Sequence, residues 1–93
     1  MYVTISHIND FLGIDQFRVG DELYLQKETD NNFDDETIKV VSETGSKCGY
    51  VANSVSTVAR GTHSAGYVYN LIQDKQKCKV EFIIDEYIIA SFE

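Results

Sequence analysis

The sequence predicts a mainly β domain of six antiparallel strands and two short helices, with the sheet curled or closed on itself. Three observations carry this. Polar and apolar residues alternate over short stretches at both ends of the chain, and turn-forming Asp, Glu, Gly and Ser separate such stretches. The period of two gives way to helical spacing between the fourth and fifth strands. A small antiparallel sheet then hides its edges by curling or closing.

In order along the chain, Val3 and Ile5 alternate with Tyr2, Thr4 and Ser6 in the first strand. The second, ELYLQKE, sets Leu23 and Leu25 on one face, and the third, TIKVVS, does the same with Ile38 and Val40. The fourth, KCGYVA, follows the turn Glu43-Thr44-Gly45-Ser46. Asn53 or Ser54 then caps a first helix in which Val55, Val58 and Ala59 share a face and Arg60-Gly61 closes the end. Ser64 caps a second, AGYVYNLI, with Val68, Leu71 and Ile72 at the spacing that buries one stripe. In the fifth strand, KCKVEFII, the alternation places Cys78, Val80, Phe82 and Ile84 together. After the turn Asp85-Glu86 the chain returns as YIIASF, which makes the C-terminal segment a β-hairpin.

The 93 residues fit one domain spanning 1–93, and a 43% hydrophobic content without proline supports an efficient core. Eight basic residues against fifteen acidic ones give a formal charge of −7, which repels nucleic acid and anionic lipid at long range. Cys48 and Cys78 lie far apart without a CxxC and only two histidines are present, so both cysteines read as buried small hydrophobes and no metal site is expected. No apolar run approaches a membrane span and MYVTISHIND lacks the pattern of a leader, so the expectation is a cytoplasmic protein with no membrane partner.

The segment KETDNNFDDETIKV concentrates acid between the second and third strands. Asp30, Asn32, Asp34 and Glu36 are spaced like the opening of a calcium loop, but Asp35 stands where the sharp turn needs glycine and Val41 where a bidentate Glu belongs. A solvated turn is the plainer reading. Phe33 changes the weighting, because an aromatic beside a carboxylate can stack on a base while the carboxylate accepts a hydrogen bond from a sugar hydroxyl.

DNNFDDETIKV, then GYVANS, then TVARGTHSAG, in that order and spacing, resembles the HIRAN domain of short stand-alone bacterial proteins and of some SNF2-type helicases. The similarity runs from about Phe17 to Phe82. It implies an OB-like or SH3-like six-stranded antiparallel barrel whose groove, in the helicase-linked members, holds the 3′ end of single-stranded DNA. By position, Asn31, Phe33 and Asp34 match the stretch in which the aromatic stacks on the terminal base and the carboxylate meets the free 3′ hydroxyl. Tyr50 matches the aromatic or His that follows a glycine. Asn53 falls where the helicase-linked form has a backbone-contacting lysine, and Phe11 keeps the aromatic character of a triplet that reads Arg-Tyr-Tyr there and Asn9-Asp10-Phe11 here. Tyr67 stands where stand-alone relatives tend to carry a basic residue.

Apart from the resemblance, Arg60 and the helix start at Gly61, Thr62, His63 and Ser64 form a candidate phosphate contact, with a capped helix start as the plainer alternative. Lys77 and Lys79 on the outer face of the fifth strand could add to a local basic stripe, with a solvated edge as the plainer reading. His7 and His63 sit in no recognisable catalytic arrangement, and there is no GxxxxGK[ST] loop, so neither catalytic residues nor cofactors are expected. Three functional classes stay open at this point. They are a module binding a single-stranded nucleic acid end, an acidic module that binds a protein partner or self-assembles as a homo-oligomer, and a metal-dependent hydrolase.

Overall fold

The computed structural model describes residues 1–29 and 36–93. The readings placed on Asn31, Asn32, Phe33 and Asp34, and on Asp30 and Asp35, lie outside the described residues.

Among the described residues there are six strands: β1 (Tyr2–Ser6), β2 (Glu22–Lys27), β3 (Ile38–Val41), β4 (Lys47–Val51), β5 (Lys75–Ile84) and β6 (Tyr87–Ser91). All neighbours are antiparallel, and the order β1-β4-β3-β2-β5-β6 closes when β6 returns to β1. The domain is therefore the closed barrel that the alternation predicts. Among the described residues one α-helix, α1 (Ala65–Val68), and two 3-10 turns, Ile8–Asp10 and Ile14–Gln16, accompany the strands.

Closure follows from the sequence pattern. Val3 and Ile5 of β1, Leu23 and Leu25 of β2, Ile38 and Val40 of β3, and Ile88 of β6 turn inward into one buried cluster. Each such aliphatic side chain contributes about 1.5–3 kcal/mol by leaving water. Cys48 and Cys78 join the cluster as free, buried thiols. Gly49 allows β4 to approach β1 closely, since a Cβ there would overlap the Ser6 carbonyl and press on Ile5 and Ile8.

Three expectations need correction. The alternation in β5 breaks at Glu81: Val80 pairs with Ala90, but Phe82 pairs with Ile89, so β5 carries one extra residue. Such a bulge inverts the in-and-out parity beyond it. Cys78 and Val80 stay buried, Ile83 packs on the core, and Phe82 and Ile84 are 56% and 40% exposed.

The first helix does not form. Residues after Ser54 make a hydroxyl-rich turn instead, in which the amides of Thr57 and Val58 both donate to the Ser54 carbonyl at 2.9 Å and the Ser56 amide donates to the Ser54 hydroxyl at 3.2 Å. These local bonds compete with helix bonding, and Val55 is left wholly exposed.

The second helix is shorter than its pattern. The Leu71 amide bonds back to the Val68 carbonyl at 2.9 Å, a tighter turn that swings Leu71 outward to 57% exposure while Val68 and Ile72 remain buried.

Thr4 is the one buried polar side chain among the described residues. The segment that failed to become a helix covers it. The Ala59 amide donates to Thr4 Oγ1 at 3.0 Å, and Thr62 Oγ1 donates to the Ala59 carbonyl at 2.7 Å. That commitment leaves Thr4 as donor in the 2.8 Å bond between the two threonine hydroxyls, so the ring of hydrogen bonds closes.

Candidate nucleic-acid interface

The outer face of β4 carries Tyr50, and its surroundings come from three parts of the chain. Ser6 of β1 and Lys39 of β3 lie directly opposite it in the ladders, on the same outer face. From the loop after β1, buried Ile8 anchors a 3-10 turn that brings Phe11 edge-on to Tyr50, with ring centres 6.0 Å apart. His7 enters in a left-handed conformation, φ 62°, and its ring meets Tyr50 at 6.3 Å and 83°. The His7 Nδ1 lies 3.1 Å from an Asp10 carboxylate oxygen.

Lys47 completes the group. Its Nζ donates to the Tyr50 hydroxyl at 2.9 Å and stands 5.0 Å from the Tyr50 ring centre and 5.6 Å from that of Phe11. The bond to Tyr50 and the nearby Glu28 carboxylate, at 3.9 Å, raise the lysine above its ordinary pKa against the opposing effect of burial. It is a cation at neutral pH, with donor capacity beyond the Tyr50 bond.

The sequence reading missed Lys47 for a geometric reason. Three positions apart in a regular strand, Lys47 and Tyr50 would face opposite sides. The register shifts from Val40↔Gly49 to Val41↔Lys47, so β4 has an extra residue and both side chains emerge on the outside. An aromatic and a lysine flanking a Cys-Gly pair was the available signal.

Beside this cluster opens a cleft of about 510 Å³ lined by His7, Glu36, Thr37, Tyr50, Asn53 and Thr57, among others. Tyr50 and Asn53 share it, and Phe11 reaches it through Tyr50. The described stem of the acidic segment borders the same cleft: the Glu28 amide donates to the Thr37 carbonyl at 2.9 Å, and Glu36 and Thr37 are in the lining.

Asn53 has a second duty. Its Oδ1 accepts from the Gly66 amide at 2.8 Å, tying the end of β4 to α1 and leaving the side-chain NH₂ as its donor.

Two predicted contacts are not supported. Ser64 caps α1, accepting from the Tyr67 amide at 3.2 Å, while the Ala65 amide donates to the Ala52 carbonyl and the Gly66 amide to Asn53. The helix start therefore has no spare N–H for a phosphate. Arg60 lines a different cleft, with Tyr2, Phe82, Ile84 and Tyr87. His63 stacks on Tyr67 at 4.3 Å, and Lys77 pairs with Glu22 at 3.7 Å on the exposed outer face of β2 and β5, which the closed barrel leaves without a sheet edge. Among the described residues no group of three or more His, Cys, Asp or Glu is arranged to hold a metal ion, and no helix is long and apolar enough to cross a membrane.

A closed six-stranded barrel with a cleft beside an exposed cluster of Tyr50, Phe11 and Lys47 is the architecture of a small binding module. The chain belongs to the HIRAN domain family, whose model matches residues 2–87. HIRAN domains are nucleic-acid-binding modules and not catalytic ones.

Among solved structures, the HIRAN domain of human HLTF superposes with a TM-score of 0.64 at 17% identity, covering 99% of this chain and 73% of that one. A protein from Lactobacillus plantarum gives a TM-score of 0.63 at 20% identity, covering 96% and 85%. At these identities the likeness shows the shared fold. No curated protein matches the chain.

Proposed function

We propose that this domain captures the 3′ end of single-stranded DNA in the cleft beside Tyr50. The observation that carries the reading is the juxtaposition of Phe11, Tyr50 and Lys47 at a cleft whose lining includes Glu36 and Thr37, the residues that lead out of the acidic segment. In this reading Phe33 stacks on the terminal base, and Asp34 and Asn31 bond the terminal sugar. Tyr50 and Phe11 wall the groove, and the Asn53 NH₂ and the Lys47 ammonium meet the backbone.

Lys47 answers the main physical objection. With a net charge of −7 the chain cannot attract a strand at long range, so affinity must come from short-range stacking, worth about 1–3 kcal/mol per base, and from a few local cations. Asn53 and Asn9 stand where the resemblance expects basic residues, and Lys47 supplies a charge on Tyr50, beside the cleft that Tyr50 and Asn53 line.

The test is fluorescence anisotropy at low salt with three labelled probes: a single strand ending in a 3′ hydroxyl, the same strand ending in a 3′ phosphate, and a blunt duplex. The hydroxyl-ended strand binds best, and Asp34→Ala removes its advantage over the phosphate-ended strand. Equal binding of all three probes, or none, overturns the proposal.

A further inference from the structure

The bulge at Glu81 leaves a surface that the strand-end reading does not use. Phe82 and Ile84 point outward and, with Tyr2, Tyr87 and Ile89, form one wall of an open cleft of about 550 Å³. The other wall is the segment Ala59 to Thr62, which carries Arg60. Phe82, Tyr2 and Ile84 are 56%, 45% and 40% exposed, so the wall is apolar surface in contact with water.

The charges around it are unspent. Arg60, Asp85 and Glu86 are exposed, and none forms a hydrogen bond or ion pair among the described residues. Arg60 lines the cleft, and the acidic pair forms the turn directly after Ile84. Asp85 is held in a left-handed conformation, φ 51°, so the tip of the hairpin is a defined shape.

A two-fold interface requires one patch that is complementary to itself. This patch holds an apolar wall, a cation on the facing wall and an anionic tip. We infer that it pairs with a second copy of the chain, the tip of each β5–β6 hairpin entering the other's cleft so that Asp85 or Glu86 meets the partner's Arg60 and the two apolar walls cover one another. Charge complementarity selects this occupant. A nucleic acid strand would meet one guanidinium and two repelling carboxylates there, whereas a second copy satisfies both signs twice. A chain of charge −7 repels its copies elsewhere, so pairing depends on this local match.

Sedimentation velocity over a concentration series up to about 1 mM tests the proposal. The wild-type domain runs as a dimer at the upper end. Arg60→Glu and the double change Asp85→Lys with Glu86→Lys each shift it to monomer by at least ten-fold in dissociation constant, and the three changes together restore the dimer. All these positions are exposed, so circular dichroism shows unchanged folding in every variant. A wild-type monomer throughout, a dimer indifferent to both single-sided reversals, or failure of the combined variant to recover overturns the inference. So does loss of oligonucleotide binding by Arg60→Glu without any change in mass.

Discussion

The Lys47 ammonium and the Tyr50 hydroxyl meet at 2.9 Å, although in an unbroken strand they would project to opposite faces. This contact fixes a positive charge against two aromatic rings, beside the cleft that Glu36 and Thr37 help to line. It also gives the most direct way to weigh electrostatics against stacking in this domain.

Replacing Lys47 by Met keeps much of the stem and removes the charge. Affinity for a single strand falls about ten-fold, equivalent to about 1.4 kcal/mol. The dependence of log affinity on log salt becomes shallower by about 0.7, the loss of one phosphate neutralised on a single strand. Lys47→Arg retains the slope. Anisotropy titrations at four salt concentrations measure both quantities, and an unchanged slope in Lys47→Met removes this lysine from the interface.

Thr4 is expected to govern the covering segment. Thr4→Val preserves shape but strands the Ala59 amide and unlinks the Thr62 hydroxyl, at a cost of about 1–3 kcal/mol. The readout specific to this mechanism is hydrogen exchange. The Ala59 amide loses protection in the variant far more than core amides such as that of Leu25, whereas uniform loss indicates ordinary global destabilisation.

Burial pushes the Cys78 thiol from its ordinary 9.0 up to about 12, and it moves Cys48 in the same direction. The unfolded chain loses this proton near pH 9 while the folded chain keeps it. Stability that is fully present below pH 9 therefore declines as pH rises toward about 12, by up to about 1.4 kcal/mol per pH unit for one such thiol. Urea denaturation at about pH 7 and about pH 10 shows the decline, and Cys78→Ala makes it shallower. Equal slopes in the two proteins contradict the assignment. The native thiol also stays unlabelled by a disulfide reagent, because only the thiolate attacks.

The barrel was legible because its inward residues obey the period of two. Val3 with Ile5, Leu23 with Leu25, and Ile38 with Val40 all point where alternation sends them. What escaped the sequence were departures from that period. Nothing in KCKVEFII announces that Glu81 is surplus, since the string alternates without a break, yet pairing with β6 demands it. The stretch after Ser54 offered apolar residues at helical spacing, but its hydroxyls satisfy the backbone locally and Val55 has no wall to pack against.

At the candidate site, Tyr50, Phe11 and Asn53 were named through resemblance; Tyr50 and Asn53 line one cleft, and Phe11 packs on Tyr50. Lys47 was not, because its neighbours are adjacent only after folding and only through a bulge. Arg60 and Ser64 were chosen for chemistry that the fold employs elsewhere: one faces another cleft, and the other is consumed in capping. The assignments on Asn31, Phe33 and Asp34 lie outside the described residues and stand as proposals.

The surplus residue in β5 has a further effect on how the molecule meets its surroundings. Remove it, and odd positions trade places with even ones from there to the hairpin tip. Ile83 would then surface and Phe82 with Ile84 would turn toward the interior. The greasy flank is therefore written in ladder arithmetic and not in composition, and a relative with the same amino acids but an uninterrupted count would show water a different face.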